Sequence, residues 1–375
     1  MSAFVRLAHV KGKSWGPMVK ACVDTLGGAS AGHSLGLVYL TPELAKDLPS
    51  VLTFLRETTK IEHWVGGVGL GVMAGGTEYR GQPALAAMTL AIEPALFRIF
   101  TSNGKDLTGL RQAAGPWLSA GNRPSFGLLH ADSRHPRLPA LVNGLATAID
   151  GFVMGGLMAH IAAPKGQALP LQVAHKPVSA AASGLLVSAK VPITVGLAQG
   201  CRSLGPYHEI TECMDNVLVR LDGRPAASVL RDLLGELPPV PGDVQVGLPV
   251  AGSDTGERVV RVISAIDPVR GWITIGAEPT AGERIMFLRR DPDFAREDLS
   301  RMLADLKQRA QGQAPKAAIF VSCVARGGAM FGQNGAELAL VREQLGEVPL
   351  IGFLAGGEIW RHRIHAQTGA LALFL

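Results

Sequence analysis

The sequence lacks the residue patterns that mark several common classes of protein. Its 375 residues include only four cysteines, and none of them belongs to a Cys-x-x-Cys pair. This scarcity argues against a zinc site or a thioredoxin-type motif, and it gives no basis for a disulfide framework. A His-Glu-x-x-His metalloprotease helix is also missing.

Long hydrophobic runs are absent as well. No uninterrupted apolar stretch reaches the roughly 20 residues that a membrane-spanning helix requires. The first residues lack the apolar core and the small-residue cleavage site of a signal peptide. The sequence therefore predicts a cytoplasmic protein with no membrane partner.

Charged residues are sparse, at 18% of the chain, and aromatic residues make up only 5%. The 36 Lys and Arg residues exceed the 31 Asp and Glu residues, but they are scattered and do not alternate with aromatic residues in a cluster. Because a nucleic-acid surface needs such clustering, no nucleic-acid partner is expected. The low charged fraction instead indicates a compact chain with a large core, and the hydrophobic content of 47% is ordinary for a globular protein.

What the sequence does contain is a repeated order of predicted elements. In three units, a helix is followed by a strand, a second helix, a Gly-rich strand and a further strand. The first strands and the Gly-rich strands lie at residues 35–40 and 64–74, 126–130 and 151–158, and 317–321 and 349–357. Two of the Gly-rich strands also have similar endings, AGGTE at residues 74–78 and AGGE at residues 355–358.

A different region separates the second and third units. Alternating and β-branched residues there predict five strands, at residues 193–198, 244–248, 258–266, 272–277 and 284–288. Residues 237–242, with three prolines and a glycine, are the best candidate for a linker. The whole pattern predicts an α/β fold of two related domains with mixed β-sheets flanked by helices, built from repeated helix-strand-helix-strand-strand units.

The most informative segment follows the first strand of the third unit. Residues 317–321 lead into Cys323, then Arg326, then the glycine pair Gly327 and Gly328. Proteins of the α/β class place ligand-contacting groups at such strand ends. The Gly-rich strand that follows exits in the same way and ends in Glu358.

Each of these groups has a structural and a functional interpretation. Cys323 is either a buried core thiol or a thiol that faces a pocket, where Arg326 would favour its thiolate. Catalysis by this thiol would also need a base, and the sequence does not place His362 or His365 beside it.

Arg326 either forms a structural ion pair with Glu337 or Glu358, or it binds a ligand carboxylate or phosphate together with the amides of Gly327 and Gly328. Glu358 follows a Gly-Gly turn, as Glu78 does earlier in the chain. A carboxylate in that position either recognises an ammonium group or is an ordinary solvated turn residue.

The remaining motifs give weak signals. The run Gly67-Val-Gly69-Leu-Gly71 lacks the spacing of a dinucleotide-binding loop. His362 and His365 lack the acidic or thiol partners that a metal site needs. We therefore expect no cofactor and no metal.

A second small loop also carries a cysteine and an arginine, as the segment after residues 317–321 does. Cys201 and Arg202 lie in it, between Gln199-Gly200 and a Ser-Leu-Gly-Pro stretch. Turn and helix-start signals explain most of the residues that follow, whereas these two side chains are not explained by folding alone. We include both as candidate ligand-binding residues.

Several segments resemble the FIST family, named for F-box and intracellular signal transduction. They are QGCRSLGPYHEIT and NVLVRLDGRPA within residues 199–226, ERVVRVISAID (257–267), FLRRDPDFAREDL (287–299), SCVARGGAMFG (322–332) and PLIGFLAGGEI (349–359). The likeness runs from about residue 35 to the C-terminus and is looser at residues 65–78. One departure is Trp360-Arg361, where the family commonly has Gly-Pro.

The resemblance implies a FIST-N-like domain over residues 1–221 and a FIST-C-like domain over residues 222–375. It also implies a cytoplasmic sensory protein that binds small ligands such as amino acids and acts on a signalling protein partner. Eukaryotic relatives carry an F-box, for which this chain has no room, so it is similar to stand-alone bacterial members.

We therefore expect an amino-acid-like ligand at Cys323, Arg326, Gly327, Gly328 and Glu358, in a protein that binds rather than catalyses. Two alternatives stay open. One is a hydrolase or transferase with Cys323 as its nucleophile, and the other is a protein-interaction scaffold. The equivalent positions after the first strands of the other units, residues 41 and 131–132, carry no common nucleophile, which favours the strand exit over the thiol as the shared feature.

Overall fold

The computed structural model describes residues 4–29, 32–161, 169–236, 241–250 and 257–375. The chain forms two compact units. The first unit comprises Met1–Ala198, Leu299–Ile364 and Thr368–Leu375, and the second comprises Gln199–Asp298 and His365–Gln367. The predicted boundary between residues 221 and 222 falls within the second unit, and residues 237–240 of the predicted linker lie outside the described residues.

The first unit begins with two repeats of one element order. The first repeat consists of β1 (Val5–Lys11), α1 (Trp15–Leu26), β2 (Leu35–Leu40), α2 (Leu48–Thr59), β3 (His63–Val68), β4 (Gly71–Ala74), β5 (Thr77–Tyr79) and β6 (Ala84–Leu90). The second consists of β7 (Phe97–Ser102), α3 (Thr108–Ser119), β8 (Pro124–Asp132), α4 (Leu138–Ile149), β9 (Phe152–Met158), β10 (Gln172–Ala174), β11 (Lys176–Val178) and β12 (Ala182–Ser188).

A third repeat starts with β13 (Ile193–Gln199) and is interrupted by the second unit. That unit contains β14 (Cys201–Ser203), β15 (His208–Met214), β16 (Val217–Leu221), β17 (Arg224–Pro225), α5 (Ala226–Leu234), β18 (Val244–Pro249), β19 (Arg258–Asp267), β20 (Trp272–Ile275) and β21 (Arg284–Arg290). Six of these strands close into a ring in the order β21, β15, β16, β20, β19 and β18, because β18 pairs back with β21.

The third repeat then resumes in the first unit. Its elements are α6 (Pro292–Arg309), β22 (Ala317–Cys323), α7 (Gly327–Phe331), α8 (Ala336–Leu345), β23 (Leu350–Ala355), β24 (Glu358–Trp360), β25 (Arg363–His365) and β26 (Thr368–Phe374). No helix among the described residues combines the length and the apolar character needed to cross a membrane.

The three sheets of the first unit share one strand order. They run β1-β6-β2-β3-β10-β11, β7-β12-β8-β9-β24-β25 and β13-β26-β22-β23-β4-β5. In each sheet two central strands are parallel, namely β2 with β3, β8 with β9, and β22 with β23. The neighbours β6, β12 and β26 are antiparallel to them. The predicted α/β class with mixed sheets is confirmed.

The last two strands of each sheet come from a different repeat. Strands β4 and β5 of the first repeat complete the third sheet, where β4 pairs with β23. Strands β10 and β11 of the second repeat complete the first sheet, and β24 and β25 of the third repeat complete the second. The repeats therefore exchange hairpins in a cycle.

The strand pairings correct three details of the sequence analysis. Residues 64–74 form strands of two different sheets rather than one Gly-rich strand. Residues 193–198 do form a strand, but it opens the third repeat instead of belonging to the intervening region. The similar segments AGGTE and AGGE are not equivalent, since the first turns from β4 to β5 and the second connects β23 to β24.

The inner faces of the three sheets share one apolar core. Helices α1 and α2 cover the outer face of the first sheet, and α3 and α4 that of the second.

Tyr39 of β2 and His130 of β8 meet inside the core, with Tyr39 Oη 2.8 Å from His130 Nε2, and the ring of Phe353 from β23 packs on both. Burial lowers the pKa of His130 to about 3, so its imidazole is neutral at pH 7.

A glycine occupies the same position in the second parallel strand of each repeat. A Cβ atom there would lie 1.8–1.9 Å from a carbonyl oxygen of the paired strand, for Gly66 against Val38, Gly155 against Leu129 and Gly352 against Phe320. Bonded neighbours aside, no two heavy atoms approach so closely, so only hydrogen fits. This requirement explains the Gly-rich strands of the sequence.

We predict that Gly155→Ala lowers the free energy of unfolding by about 2 kcal/mol or more, since overpacking of this kind must push two paired strands apart. The matched control is Gly144→Ala in α4, where a Cβ would meet nothing within 4 Å. That change should raise stability by up to about 1 kcal/mol through helix propensity. Urea unfolding followed by circular dichroism tests both, and equal midpoints for the two variants would contradict the argument.

Candidate functional site

The predicted site lies at one edge of the third sheet. Cys323 ends β22, and it pairs in register with Ala355, which ends the parallel strand β23. The chain then turns through two glycines to Glu358 at the start of β24, while Thr368 opens the antiparallel strand β26. Because the carboxyl ends of parallel strands share one edge, residues far apart in sequence meet there.

A buried ion pair occupies this edge. Glu337 Oε1 accepts a hydrogen bond of 2.8 Å from Arg326 Nε and lies 2.7 Å from Arg326 Nη2. Ser322 Oγ donates to Glu337 Oε2 at 2.7 Å, and the Phe331 ring lies 5.1 Å from the guanidinium carbon. The Arg326 side chain is 0% exposed and that of Glu337 is 3% exposed. The structure therefore contains the Glu337 pairing that the sequence offered as one of two interpretations of Arg326.

Glu358 is fully buried beside this pair. Its Oε2 accepts hydrogen bonds from Thr368, at 2.7 Å from Oγ1 and 3.2 Å from the backbone nitrogen. Its Oε1 has no hydrogen-bond partner among the described residues. Burial raises the pKa of Glu358 to about 8, although Thr368, Arg326 and the Cys323 thiol each lower it. At neutral pH the carboxyl group is therefore mostly protonated.

The β4–β5 hairpin region of the first repeat brings two further charged side chains, Glu78 and Arg80, to this edge. Glu78 Oε2 accepts from the backbone nitrogen of Gly335 at 3.2 Å, and Glu78 Oε1 lies 3.4 Å from Arg80 Nε. Arg80 Nη2 in turn donates to the backbone oxygen of Val324 at 2.9 Å. Burial raises the pKa of Glu78, and the nearby Glu337 adds to this shift.

The glycine pair starts a helix rather than forming an open loop. Gly327 and Gly328 are the first residues of the five-residue helix α7, and Gly328 O accepts a hydrogen bond from Gly332 N. Gly327 also allows a close approach, because a Cβ there would lie 2.6 Å from Arg80 Nη2. Ligand binding by the backbone amides of Gly327 and Gly328 stays a prediction.

The structure thus brings together Cys323, Arg326 and Glu358, three of the predicted site residues. Cys323 is only 4% exposed. Strand register makes it equivalent to Thr41 and Asp132 in the other repeats, so the three strand exits do share a position but not a nucleophile.

The other two predicted residues belong to the second unit. Cys201 is buried in a small apolar cluster with Val260, Met286 and Leu288. Arg202 is exposed, and its Nε donates to Asp291 Oδ2 at 2.7 Å. These contacts give both side chains the structural explanation that the sequence alone did not supply, and their binding role stays a prediction.

The structure also places the two histidines that the sequence analysis considered as a base for Cys323 and as metal ligands. His362 is exposed between β24 and β25, and His365 is buried at the end of β25. Within the described parts of the chain, no three His, Cys, Asp or Glu side chains are grouped closely enough to hold a metal ion.

Sequence reasoning missed three contributors to this edge. They are Ser322, Thr368 and Arg80. Glu337 did carry a signal, because it is the first charged residue after Arg326. Arg80 gave no signal, since its position depends on the exchange of a hairpin between repeats.

Comparison with known families identifies the family of the chain. Residues 34–224 match the FIST N domain, and residues 226–361 match the FIST C domain. The chain belongs to the FIST family. Both matches end or begin inside the second unit, so the first unit takes strands from the FIST N match and from the FIST C match alike.

Similar curated proteins come from mycobacteria, and all carry the description "uncharacterized protein". One from Mycobacterium bovis is 32% identical over 192 residues, which cover 48% of this chain and 50% of that protein. One from Mycobacterium tuberculosis is 27% identical over 333 residues, which cover 83% of each chain. The chain thus aligns with about half the length of the first relative and with most of the second.

We expect the removal of one partner of the buried ion pair to leave an uncompensated charge. Glu337→Ala should lower the free energy of unfolding by about 3–5 kcal/mol, the range for broken buried pairs. The control is Glu347→Ala, since that carboxylate is 84% exposed and 3.6 Å from Arg342. Its loss should cost less than about 1 kcal/mol in the same urea titration. Similar losses in both variants would refute the assignment.

The raised pKa of Glu358 makes stability depend on pH with a definite sign. The folded protein keeps a proton that the unfolded chain releases between the ordinary value of 4.5 and about 8. Wild type should therefore lose stability relative to Glu358→Gln as pH rises through this window, by at most about 1.4 kcal/mol per pH unit. Urea titrations of both proteins at several pH values measure the difference, and parallel pH profiles would be the contrary result.

Proposed function

We propose that this FIST protein is a cytoplasmic sensor that binds a small amino-acid-like ligand at the edge of the third sheet. The FIST family is a signal-transduction and sensory family, which supports the general role. The ligand, the location in the cell and a downstream protein partner are parts of the proposal.

One observation carries the choice of ligand. Glu358 is fully buried, yet its Oε1 has no hydrogen-bond partner among the described residues. A buried polar atom without a partner costs free energy, which a ligand donor at that position would recover. An ammonium group is the donor that suits a carboxylate best, because its charge also favours the ionised form of Glu358.

The two guanidinium groups of the site favour a ligand that carries a carboxylate as well as an ammonium group. Arg80 and Arg326 face the carboxylates of Glu78 and Glu337, while Glu358 is mostly neutral. The ammonium group would replace the proton that Glu358 releases and would compensate the negative charge of its carboxylate. The ligand carboxylate would lie near the two guanidinium groups, whose charge-assisted hydrogen bonds favour it.

Catalysis by Cys323 has less support. The thiol is almost completely buried, and the neighbouring Glu358, with a pKa near 8, already carries a proton at neutral pH. A protonated carboxyl group does not serve as the general base that a cysteine nucleophile requires.

The proposal is tested by ligand release and titration. Mass spectrometry of ligand released from purified protein, followed by a thermal-shift screen of amino acids, identifies the compound. At a concentration of 100 times its Kd, it should stabilise the protein by about 2.7 kcal/mol. As pH increases towards 8, the affinity measured by calorimetry should increase about tenfold per pH unit, because Glu358 must lose its proton to pair with the ammonium group.

Two matched variants test whether ligand binding depends on Glu358 itself or on the loss of any carboxylate. Glu358→Gln keeps the shape of the side chain but loses its charge, so it should abolish binding and its pH dependence. Glu347→Gln changes an exposed carboxylate and should leave both unchanged. Binding that survives in Glu358→Gln, or the absence of any amino-acid ligand in the screen, would reject the proposed site.

A further inference from the structure

The proposed ligand site is closed in this structure. Glu358 and Arg326 have no exposed surface, and Cys323 has almost none. A ligand can reach Glu358 only if part of the protein moves first. The element that moves should be short and poor in backbone pairing to the sheets.

Residues 324–335 have these properties. They contain the single-turn helix α7 and irregular backbone on both sides of it, and they join β22 to α8. Arg326, Met330 and Phe331 are buried on the inner side of this segment, whereas Ala329, Gly332 and residues 333–334 are exposed. We name residues 324–335 the cover segment.

Two side chains of the β4–β5 hairpin region hold the cover segment near its two ends. Arg80 donates to the backbone oxygen of Val324 at the first end. Glu78 accepts from the backbone nitrogen of Gly335 at the other end. The two side chains also attract each other, with Glu78 Oε1 3.4 Å from Arg80 Nε. Both attachments go to backbone atoms, so the sequence of the cover segment does not reveal them.

We propose that Glu78 and Arg80 form a latch that keeps the cover segment closed over the ligand site. Release of the latch removes one attachment near each end of the segment. The Arg326–Glu337 ion pair and the hydrogen bond from Val324 N to Ala355 O then remain as contacts that opening must break, while the paired strands β22 and β23 stay in place. The opening then exposes Cys323 and Glu358 to solvent and to ligand. Glu78 and Arg80 are positioning residues in this scheme, since they act through the cover segment.

The latch is tested without any ligand, by the labelling rate of Cys323. Wild type and the variants Glu78→Ala and Arg80→Met are treated with iodoacetamide under native conditions, and each cysteine is followed by peptide mass spectrometry. Either variant should speed the labelling of Cys323 by about fivefold to tenfold, which corresponds to the loss of a typical hydrogen bond. Cys22, buried in α1 of the same unit, should keep its wild-type rate.

Two further variants sharpen the result. Gly327→Ala places a Cβ 2.6 Å from Arg80 Nη2, so it should displace the guanidinium end and speed labelling without changing either latch residue. Arg134→Met removes an ion pair of 2.8 Å with Asp132, at the equivalent strand exit of the second repeat. This control should leave the labelling of Cys323 unchanged.

An unchanged rate at Cys323 in the folded latch variants would overturn the proposal. So would an equal increase at Cys22, because the opening would then be global. The inference concerns access to the site proposed above, but its test is separate from that of the ligand. A failed ligand screen combined with faster Cys323 labelling would reject the amino-acid ligand and keep the latch.

Discussion

Every sheet of the first unit is completed by a hairpin from another repeat, and the rest of the structure depends on this exchange. An unpaired edge strand exposes a row of N–H and C=O groups. Strands β3, β9 and β23 gain their second neighbour only from β10, β24 and β4. Each repeat therefore needs another repeat to satisfy its backbone, and all three contribute side chains to the shared core.

The exchange also determines the composition of the candidate site. The third repeat supplies Arg326, Glu337 and Glu358, and the first repeat supplies Glu78 and Arg80 through its donated hairpin. Charges buried at such density cost solvation, and packing of the three sheets must offset that cost. A charge cluster that weakens the fold and lies at a strand edge is typical of a binding site.

Much of the fold could be predicted from the sequence, because several elements carry their own signals. Residues 35–40 were predicted as a strand and form β2 with those limits, since their sequence LGLVYL is almost continuously apolar. Residues 317–321 were predicted as a buried strand from their continuous apolar character, and β22 extends them by two residues. Strands β10 and β24 have three residues each, which is too short for any periodicity to show.

The candidate site was predictable only in part, for a related reason. The strand exit indicated Cys323 and Arg326, but a guanidinium flanked by glycines fits an ion pair and a ligand clamp equally well. The ion pair is visible only in three dimensions, where Glu337 Oε1 lies 2.8 Å from Arg326 Nε. Arg80 and Val324 are 244 residues apart, and their contact follows from sheet topology rather than from any local pattern.

The FIST N match and the FIST C match meet at residues 224–226, inside the second unit, whereas the first unit draws on both. The first match contains β4 without its partner β23, and the second contains β24 without its partner β9. Neither half carries the complete set of pairings for a sheet it helps to build. The two family regions therefore behave as complementary fragments of one fold, each acting as the template on which the other completes its sheets.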